Sequence, residues 1–375
     1  MTKQFITIIL AAAPMFAATP AETAIAKAQQ EIAKRPDYAQ HYNALAMAYA
    51  RRARETSDTN FYTKAEDSLK TSLALAPDNY EGLKTQTWLL LGRHEFAKAR
   101  ELAMKLNKRT PDDATVYGYL ADANAELGNY DEAVDAVQWM LNLRPGNVPG
   151  LTRAAYLREL HGDFDGAIEM MQQAFDSTPY HESEDRAWLL TQIAHLHLAA
   201  GQYTEAAEYA TGALGVFPGY HYALGTLAQV RMAQGRYSEA ADLFEKRYAA
   251  APHAENLFSV GEALEHAGRH NEAAKAFAQF EQMALKEANI ADNSNHELVA
   301  YYIDYAHQPE KALRIAKSEL ERRHDAYTLD AYAWALAATG DAQHAGIEIH
   351  RALAWGLKDA KVLEHAHAIA IRSLP

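Results

Sequence analysis

Small and apolar positions alternate with polar turns in a pattern that recurs along most of the chain. Five segments read LGNYDEAV, HGDFDGAI, AGQYTEAA, QGRYSEAA and AGRHNEAA. One alanine recurs in these segments, at Ala133, Ala167, Ala206, Ala240 and Ala273. The residue one helical turn later is Val137, Met171, Ala210, Phe244 or Phe277. A small residue lets two helices approach closely, and the residue one turn later fills the remaining space. The pattern therefore predicts a series of packed helical hairpins.

The spacing of glycine and proline gives the length of one hairpin. The glycine of each turn, Gly128 to Gly268, recurs at intervals of 34, 39, 34 and 33 residues. The prolines from Pro111 to Pro252 recur at 34, 34, 39 and 34 residues. Glycine ends a helix where a positive φ is required, and proline stops the second helix of the pair. Since both series share the interval of 39, we expect five extra residues within an otherwise constant unit, near 180–186.

A helical hairpin of 34 residues with these positions resembles the tetratricopeptide repeat. The resemblance implies an all-α fold, a right-handed superhelical solenoid of about eight hairpins with end-capping helices. No hairpin can bury its apolar face alone, so the hairpins stack on one another. We divide the chain into a signal peptide over 1–21, a solenoid with an N-terminal capping helix over 22–285, a degenerate hairpin that breaks the repeat over 286–325, and a final hairpin with a C-terminal capping helix over 326–375.

The first 21 residues have the composition of an export signal. Lys3 precedes an apolar stretch from Phe5 to Ala18, and small residues follow it. This order is typical of a secretory signal peptide. The apolar stretch is shorter than the about 20 residues that a membrane-spanning helix needs. We therefore expect an exported protein, periplasmic or secreted, with no membrane span in the mature chain.

Composition excludes several classes of function. The chain has 36 basic and 49 acidic residues, a formal net charge of −13, and no cysteine. The charge argues against nucleic acid as a partner, because binding to phosphates relies on clustered Lys and Arg. The lack of cysteine excludes thiolate nucleophiles, zinc fingers and iron–sulfur clusters. His296-Glu297 lacks the second histidine of a zinc-binding HExxH motif. We predict no catalytic residue, no metal site and no cofactor.

The resemblance also implies which side chains line the concave groove of the solenoid. Those positions carry Asp122, Tyr156, Glu159, Trp188, Thr191, His195, Tyr222, Gln229, Glu255, Phe258 and Glu262. The set combines aromatic and acidic residues and contains no Lys or Arg. Aromatic side chains are effective anchors in interfaces, and acids attract a cationic partner. We therefore predict a non-enzymatic scaffold that presents an acidic, aromatic groove to a basic peptide or protein.

Two alternatives remain open at this stage. The same groove could hold a glycan or a small molecule. The chain could instead be an enzyme whose site lies in 286–325, where the repeat breaks. The polar residues gathered there are Asp292, Asn293, Asn295, His296 and Asp304.

Overall fold

The computed structural model describes residues 19–372, which form twenty α-helices, one π-helix and no strand. The first ten helices are α1 (Pro20–Lys34), α2 (Ala39–Thr56), α3 (Asn60–Leu75), α4 (Tyr80–Gly92), α5 (Phe96–Arg109), α6 (Ala114–Glu126), α7 (Tyr130–Leu143), α8 (Val148–Leu160), α9 (Phe164–Ser177) and α10 (Ser183–Ala199). The others are α11 (Tyr203–Val216), α12 (His221–Ala233), α13 (Tyr237–Ala250), α14 (Ala254–His266), α15 (His270–Glu287), α16 (Asn295–Ala300), α17 (Pro309–Leu320), α18 (Ala326–Ala338), α19 (Ala342–Leu353) and α20 (Ala360–Arg372). The π-helix, Tyr301–Tyr305, lies between α16 and α17.

Consecutive helices pair as hairpins, from α2/α3 to α18/α19, between the end helices α1 and α20. Nine hairpins are present where about eight were predicted, and the all-α solenoid is confirmed. The predicted signal peptide lies outside the described residues except for 19–21, which begin α1. Across residues 19–372 no helix has the length and apolar character needed to cross a membrane.

Polar side chains set where several inner helices begin. Asp113 accepts a hydrogen bond from the amide of Thr115 at the start of α6, and Asn147 accepts one from Gly150 at the start of α8. Asp325 accepts bonds from two amides at the start of α18. These side chains satisfy amides that have no partner within the helix. They fix the starting points of the helices that face the interior of the superhelix.

The recurring alanines pack as the sequence predicts. Ala133, Ala167, Ala206, Ala240 and Ala273 are all fully buried. The segment 286–325 also belongs to the stack, because Leu298, Val299 and Tyr302 join the same apolar cluster as α13–α15. The break in the sequence pattern therefore corresponds to a shorter hairpin with a π-helical turn.

The superhelix closes on itself along a line that we call the seam. Three hydrogen bonds across the seam each join residues 196 positions apart: His253 to Ser57, the amide of Ala326 to Tyr130, and Lys358 to Gly162. The turn inside an early hairpin thus contacts the loop between hairpins one superhelical turn later. The contact recurs with the repeat, so successive superhelical turns of the solenoid touch each other along the seam. We call this arrangement the coil.

Two glycines permit the closest contacts of the seam. A Cβ on Gly128 would lie 2.4 Å from the carbonyl oxygen of His324, and one on Gly162 would lie 2.6 Å from that of Gly356. Both glycines also have a positive φ. Gly235, in the equivalent turn of a later hairpin, has a positive φ but no heavy atom within 4 Å of such a Cβ. A glycine at this position therefore ends the first helix of each of these hairpins. It allows close contact with a second backbone segment only in the seam.

Candidate functional site

The inner surface of the coil forms a chamber of about 840 Å³ that is open to solvent. Helices α6, α8 and α10 form one side of it, and the turn between α4 and α5 forms another. Its apolar and aromatic lining residues are Leu91, Phe96, Val148, Pro149, Tyr156, Pro179, Trp188 and Leu189. Three of the predicted groove residues, Asp122, Tyr156 and Trp188, are brought together in this chamber.

The chamber contains arginines, so the prediction of a groove without basic side chains is wrong. Arg153 of α8 crosses Gly118 and donates to Asp122 Oδ1 at 2.7 Å. A side chain at 118 would meet the guanidinium, because a Cβ there would lie 3.3 Å from Arg153 Cζ. Arg153 also donates to the carbonyl oxygen of Gly118 at 3.1 Å. Asp122 is thereby committed to an internal ion pair.

The other two arginines of the chamber come from distant parts of the chain. Arg323, in the loop before α18, lies 3.3 Å from Glu126 Oε2. Burial raises the pKa of Glu126 to about 7, although Arg323 opposes the shift. Arg54, near the end of α2, donates to Glu184 and Asp185. Each cation of the chamber therefore faces a carboxylate, and the predicted acidic character is largely neutralised.

Further along the inner surface, two predicted residues pair with each other. Glu159 Oε1 lies 2.6 Å from His195 Nε2. Burial lowers the pKa of His195, but the hydrogen bond and charge of Glu159 outweigh it and raise that pKa above its ordinary value. The contact with Glu159 therefore favours the protonated form of the His195 imidazole.

The last part of the predicted groove lies on α12 and α14, away from the chamber. Tyr222, Gln229 and Glu255 are exposed there. Glu262 accepts a hydrogen bond from the Tyr305 hydroxyl at 3.1 Å, and burial raises its pKa to about 7. This region retains acidic groups, although Glu262 is only partly ionised near neutral pH.

Two predicted groove residues do not line the groove. Thr191 is 2% exposed and donates to the carbonyl oxygen of Ala187, within its own helix. Phe258 is 6% exposed and packs against Phe280 with ring centroids 5.2 Å apart. Both side chains point between helices, so the structure corrects the assignment. The binding role of the other nine residues stays a prediction.

Comparison with known proteins agrees with the geometry. Residues 85–147 and residues 197–260 each match a family described as the tetratricopeptide repeat. The chain contains tetratricopeptide repeats. Such repeats are typical of non-enzymatic scaffolds, and they support a general role in protein–protein interaction.

Solved structures with tetratricopeptide-like solenoids are similar to this chain in fold. A human IFIT1 dimer with m7Gppp-AAAA is 14% identical, with a TM-score of 0.55 over 89% of this chain and 86% of that one. The APC/C hetero-tetramer Cut9–Hcn1 is 14% identical, with a TM-score of 0.54 over 87% of this chain. This chain covers 55% of that matched chain. No curated protein sequence matches the chain.

Two polar residues of the repeat break, His296 and Asp292, contact residues outside that segment. His296 Nε2 lies 3.1 Å from Thr328 Oγ1, which donates to Asp325. Thr328 is 1% exposed. Asp292 faces His94 instead, at 3.6 Å. Within residues 19–372 no group of three or more His, Asp and Glu side chains is arranged to hold a metal ion.

Acid should destabilise the repeats through His221, which is buried where α12 meets the end of α2. Its Nε2 lies 2.9 Å from Ser57 Oγ and 3.3 Å from the carbonyl oxygen of Arg54. Burial lowers the pKa of His221 to about 4, and Arg247 and His253 add to the shift. In the unfolded chain the His221 imidazole has its ordinary pKa of about 6.5, so it binds a proton more readily than in the folded chain. Stability from His221 is therefore complete above pH ~6.5 and is lost as the pH falls towards 4, by about 3 kcal/mol.

Urea unfolding at neutral and at mildly acidic pH measures this effect. We expect His221→Gln to lose part of the acid sensitivity of the parent, while His181→Gln, at an exposed histidine, retains it. Only the difference between variants is informative, because Glu262 and Glu297 have raised pKa values and respond to pH with the opposite sign. Equal acid sensitivity in both variants would contradict the assignment.

Proposed function

We propose that the chain is an exported, non-enzymatic scaffold that holds a protein or peptide partner in the inner chamber. The observation that carries the proposal is the chamber itself, which Trp188 and Tyr156 line together with further apolar side chains. The carboxylates of the chamber are already paired with arginines. Anchors of protein interfaces are typically aromatic or apolar side chains that fill such spaces.

The internal pairing of charge defines the chemistry of the anchor. A charged side chain entering the chamber would have to break an ion pair such as Arg153–Asp122, which leaves a partly buried charge without its partner. An apolar or aromatic side chain breaks none of these pairs. We therefore assign an apolar anchor to the chamber, and we place any basic residue of the partner beside Glu255 and Glu262, outside it.

A protein partner is favoured over nucleic acid by the same pairs. Arg54, Arg153 and Arg323 each bind a carboxylate of the chain, so they cannot neutralise phosphates without losing those contacts. The net charge of −13 acts in the same direction. Export is supported by the composition of residues 1–21 and places the partner in the periplasm or outside the cell.

Affinity capture of the protein from its own cell envelope, followed by mass spectrometry, tests the proposal. We expect a stoichiometric protein partner in the envelope fraction. Capture from the cytosolic fraction alone would contradict export, and a lack of any stoichiometric protein would contradict the scaffold.

Trp188→Ala should weaken binding of the captured partner by at least ~1 kcal/mol, because it removes the largest aromatic surface of the chamber. Trp139→Ala is the matched control, since Trp139 is 54% exposed on α7 and stacks on Tyr117 outside the chamber. Titration calorimetry of both variants measures the difference. Equal affinities for the two variants would place the binding site elsewhere.

A glycan or small-molecule ligand is the second candidate, because the volume of the chamber is within the range of pockets that bury such ligands, about 300–1,000 Å³. Trp188 offers a flat face of the kind that stacks on a sugar ring. Screening of envelope oligosaccharides by the same calorimetry separates the two candidates. Saturable sugar binding that Trp188→Ala abolishes would favour this candidate.

A further inference from the structure

Helices α1–α5, residues 20–109, form one wall of the chamber, and we call them the N-terminal arm. Arg54, Leu91, Gly92, His94 and Phe96 all line the chamber, and all belong to this arm. The opposite wall consists of α6, α8 and α10. The width of the chamber therefore depends on how the arm lies against the later part of the coil.

The arm contacts the later part of the coil through polar groups, which we call the latch. Arg51 and Arg54 bind the carboxylates that begin α10, at Glu182, Glu184 and Asp185. Ser57 accepts a hydrogen bond from His253 Nε2 at its carbonyl oxygen, at 2.6 Å, and its hydroxyl contacts His221. His94 faces Asp292.

Apolar packing does not reinforce the latch. Among the clusters that the described residues form, those containing arm residues extend only from Ala46 to Leu127. None of these clusters joins the arm to α10–α17. By contrast, Leu160 of α8 and Leu357 before α20 belong to one cluster, so the rest of the seam has an apolar core. A cleft of about 580 Å³ also separates α3 and α4 from residues 290–292.

Polar contacts of this kind can open at small net cost. Closing the latch removes water from both members of each ion pair, and this loss offsets much of their attraction. Opening the latch returns both members to water. The apolar contact between α5 and α6 joins the arm to the rest of the coil, so it can act as the hinge.

We propose that the N-terminal arm is a hinged wall of the chamber, held closed by the latch, and that a protein partner enters when the arm lifts. The proposal rests on the proposed function for the role of the chamber. The movement of the arm is independent of any partner and can be tested without one.

A single engineered thiol can report the movement, because the chain has no cysteine. Thr152 lines the chamber and is half-buried. In a Thr152→Cys background, the rate of reaction with a small maleimide reports the environment of the thiol. The rate with a maleimide attached to a bulky polyethylene glycol reports the width of the entrance. The ratio of the two rates is the measure of opening.

Arg51→Gln combined with Arg54→Gln removes the charged part of the latch. We expect the ratio of bulky to small labelling to rise about tenfold, the order expected when charge-assisted hydrogen bonds are lost. The radius of gyration from small-angle scattering should rise as well. Arg93→Gln combined with Arg109→Gln is the matched control. Arg93 binds Glu66 and Arg109 binds the carbonyl of Asp78, both within the arm. The control should leave the ratio unchanged.

Equal ratios in the parent, the latch variant and the control would overturn the proposal. If circular dichroism shows that the latch variant has lost its helices, the parent at high ionic strength replaces it. Salt screens the partly exposed pairs of the latch, whose side chains are 25–37% exposed in Arg51, Arg54, Glu182 and Asp185, and it should raise the ratio in the parent too. A ratio indifferent to salt would also overturn the proposal. If the arm opens but no partner is captured, only the proposed function is contradicted. If a partner binds but the labelling ratio stays constant in all variants, only the hinge is contradicted.

Discussion

Gly128→Ala should destabilise the protein by about 3 kcal/mol, well beyond the effect of the same change at Gly235. Both glycines have a positive φ, at +77° and +71°, and alanine there costs about 1–2 kcal/mol. Only at Gly128 would the new methyl group also meet a backbone, 2.4 Å from the carbonyl oxygen of His324. Overpacking against a fixed backbone adds about 1–3 kcal/mol. The difference between the two variants isolates closure of the seam from helix termination.

Urea denaturation of both variants, followed by circular dichroism, measures that difference. Gly162→Ala, whose Cβ would lie 2.6 Å from the carbonyl oxygen of Gly356, should behave as Gly128→Ala does. Gly201→Ala should behave as Gly235→Ala does, since its Cβ would meet no heavy atom within 4 Å. A similar loss at all four positions would show that the coil does not close along the seam.

The solenoid could be predicted because each hairpin depends on local positions. Ala133 and its four equivalents are fully buried, and the glycines of the turns in these five units, Gly128 to Gly268, all have a positive φ. The spacing of glycine and proline gives the length of one unit, and the order of the helices follows from it. The change in the repeat pattern near 300 indicates a break, but the π-helical turn there has no comparable signal in the sequence.

The charge of the chamber could not be predicted, because it depends on contacts between distant residues. Arg323 meets Glu126 only after one full superhelical turn, and Arg54 meets Asp185 across the interior. Pitch and curvature decide those contacts, and small differences in packing between repeats set both. Arg153 was missed for a different reason: it reaches the groove over Gly118, from a position that the repeat pattern does not count as inward. A glycine inside α6 was the only local signal.

Phe258→Ala tests whether the repeat pattern identifies inward side chains correctly, because the pattern and the structure assign opposite roles to this residue. The pattern predicts a loss of partner binding with little change in stability. The structure places the ring between Phe277, Phe280 and Tyr305, in the core of α14 and α15. Truncation of such a buried aromatic residue costs about 3–5 kcal/mol. We therefore expect a large fall in the free energy of unfolding.

Tyr222→Ala is the matched comparison, since it removes an aromatic ring from an inward position of the preceding hairpin. Tyr222 is 36% exposed and contacts the ring of His221 at 3.9 Å, so its loss should cost only about 1 kcal/mol of stability. Its effect should appear instead in partner affinity. Chemical denaturation and calorimetric titration of the two variants should therefore give opposite rankings. If Phe258→Ala keeps the free energy of unfolding of the parent and loses partner affinity, α14 is rotated relative to the structure. The Phe258 ring would then line the groove and not the core.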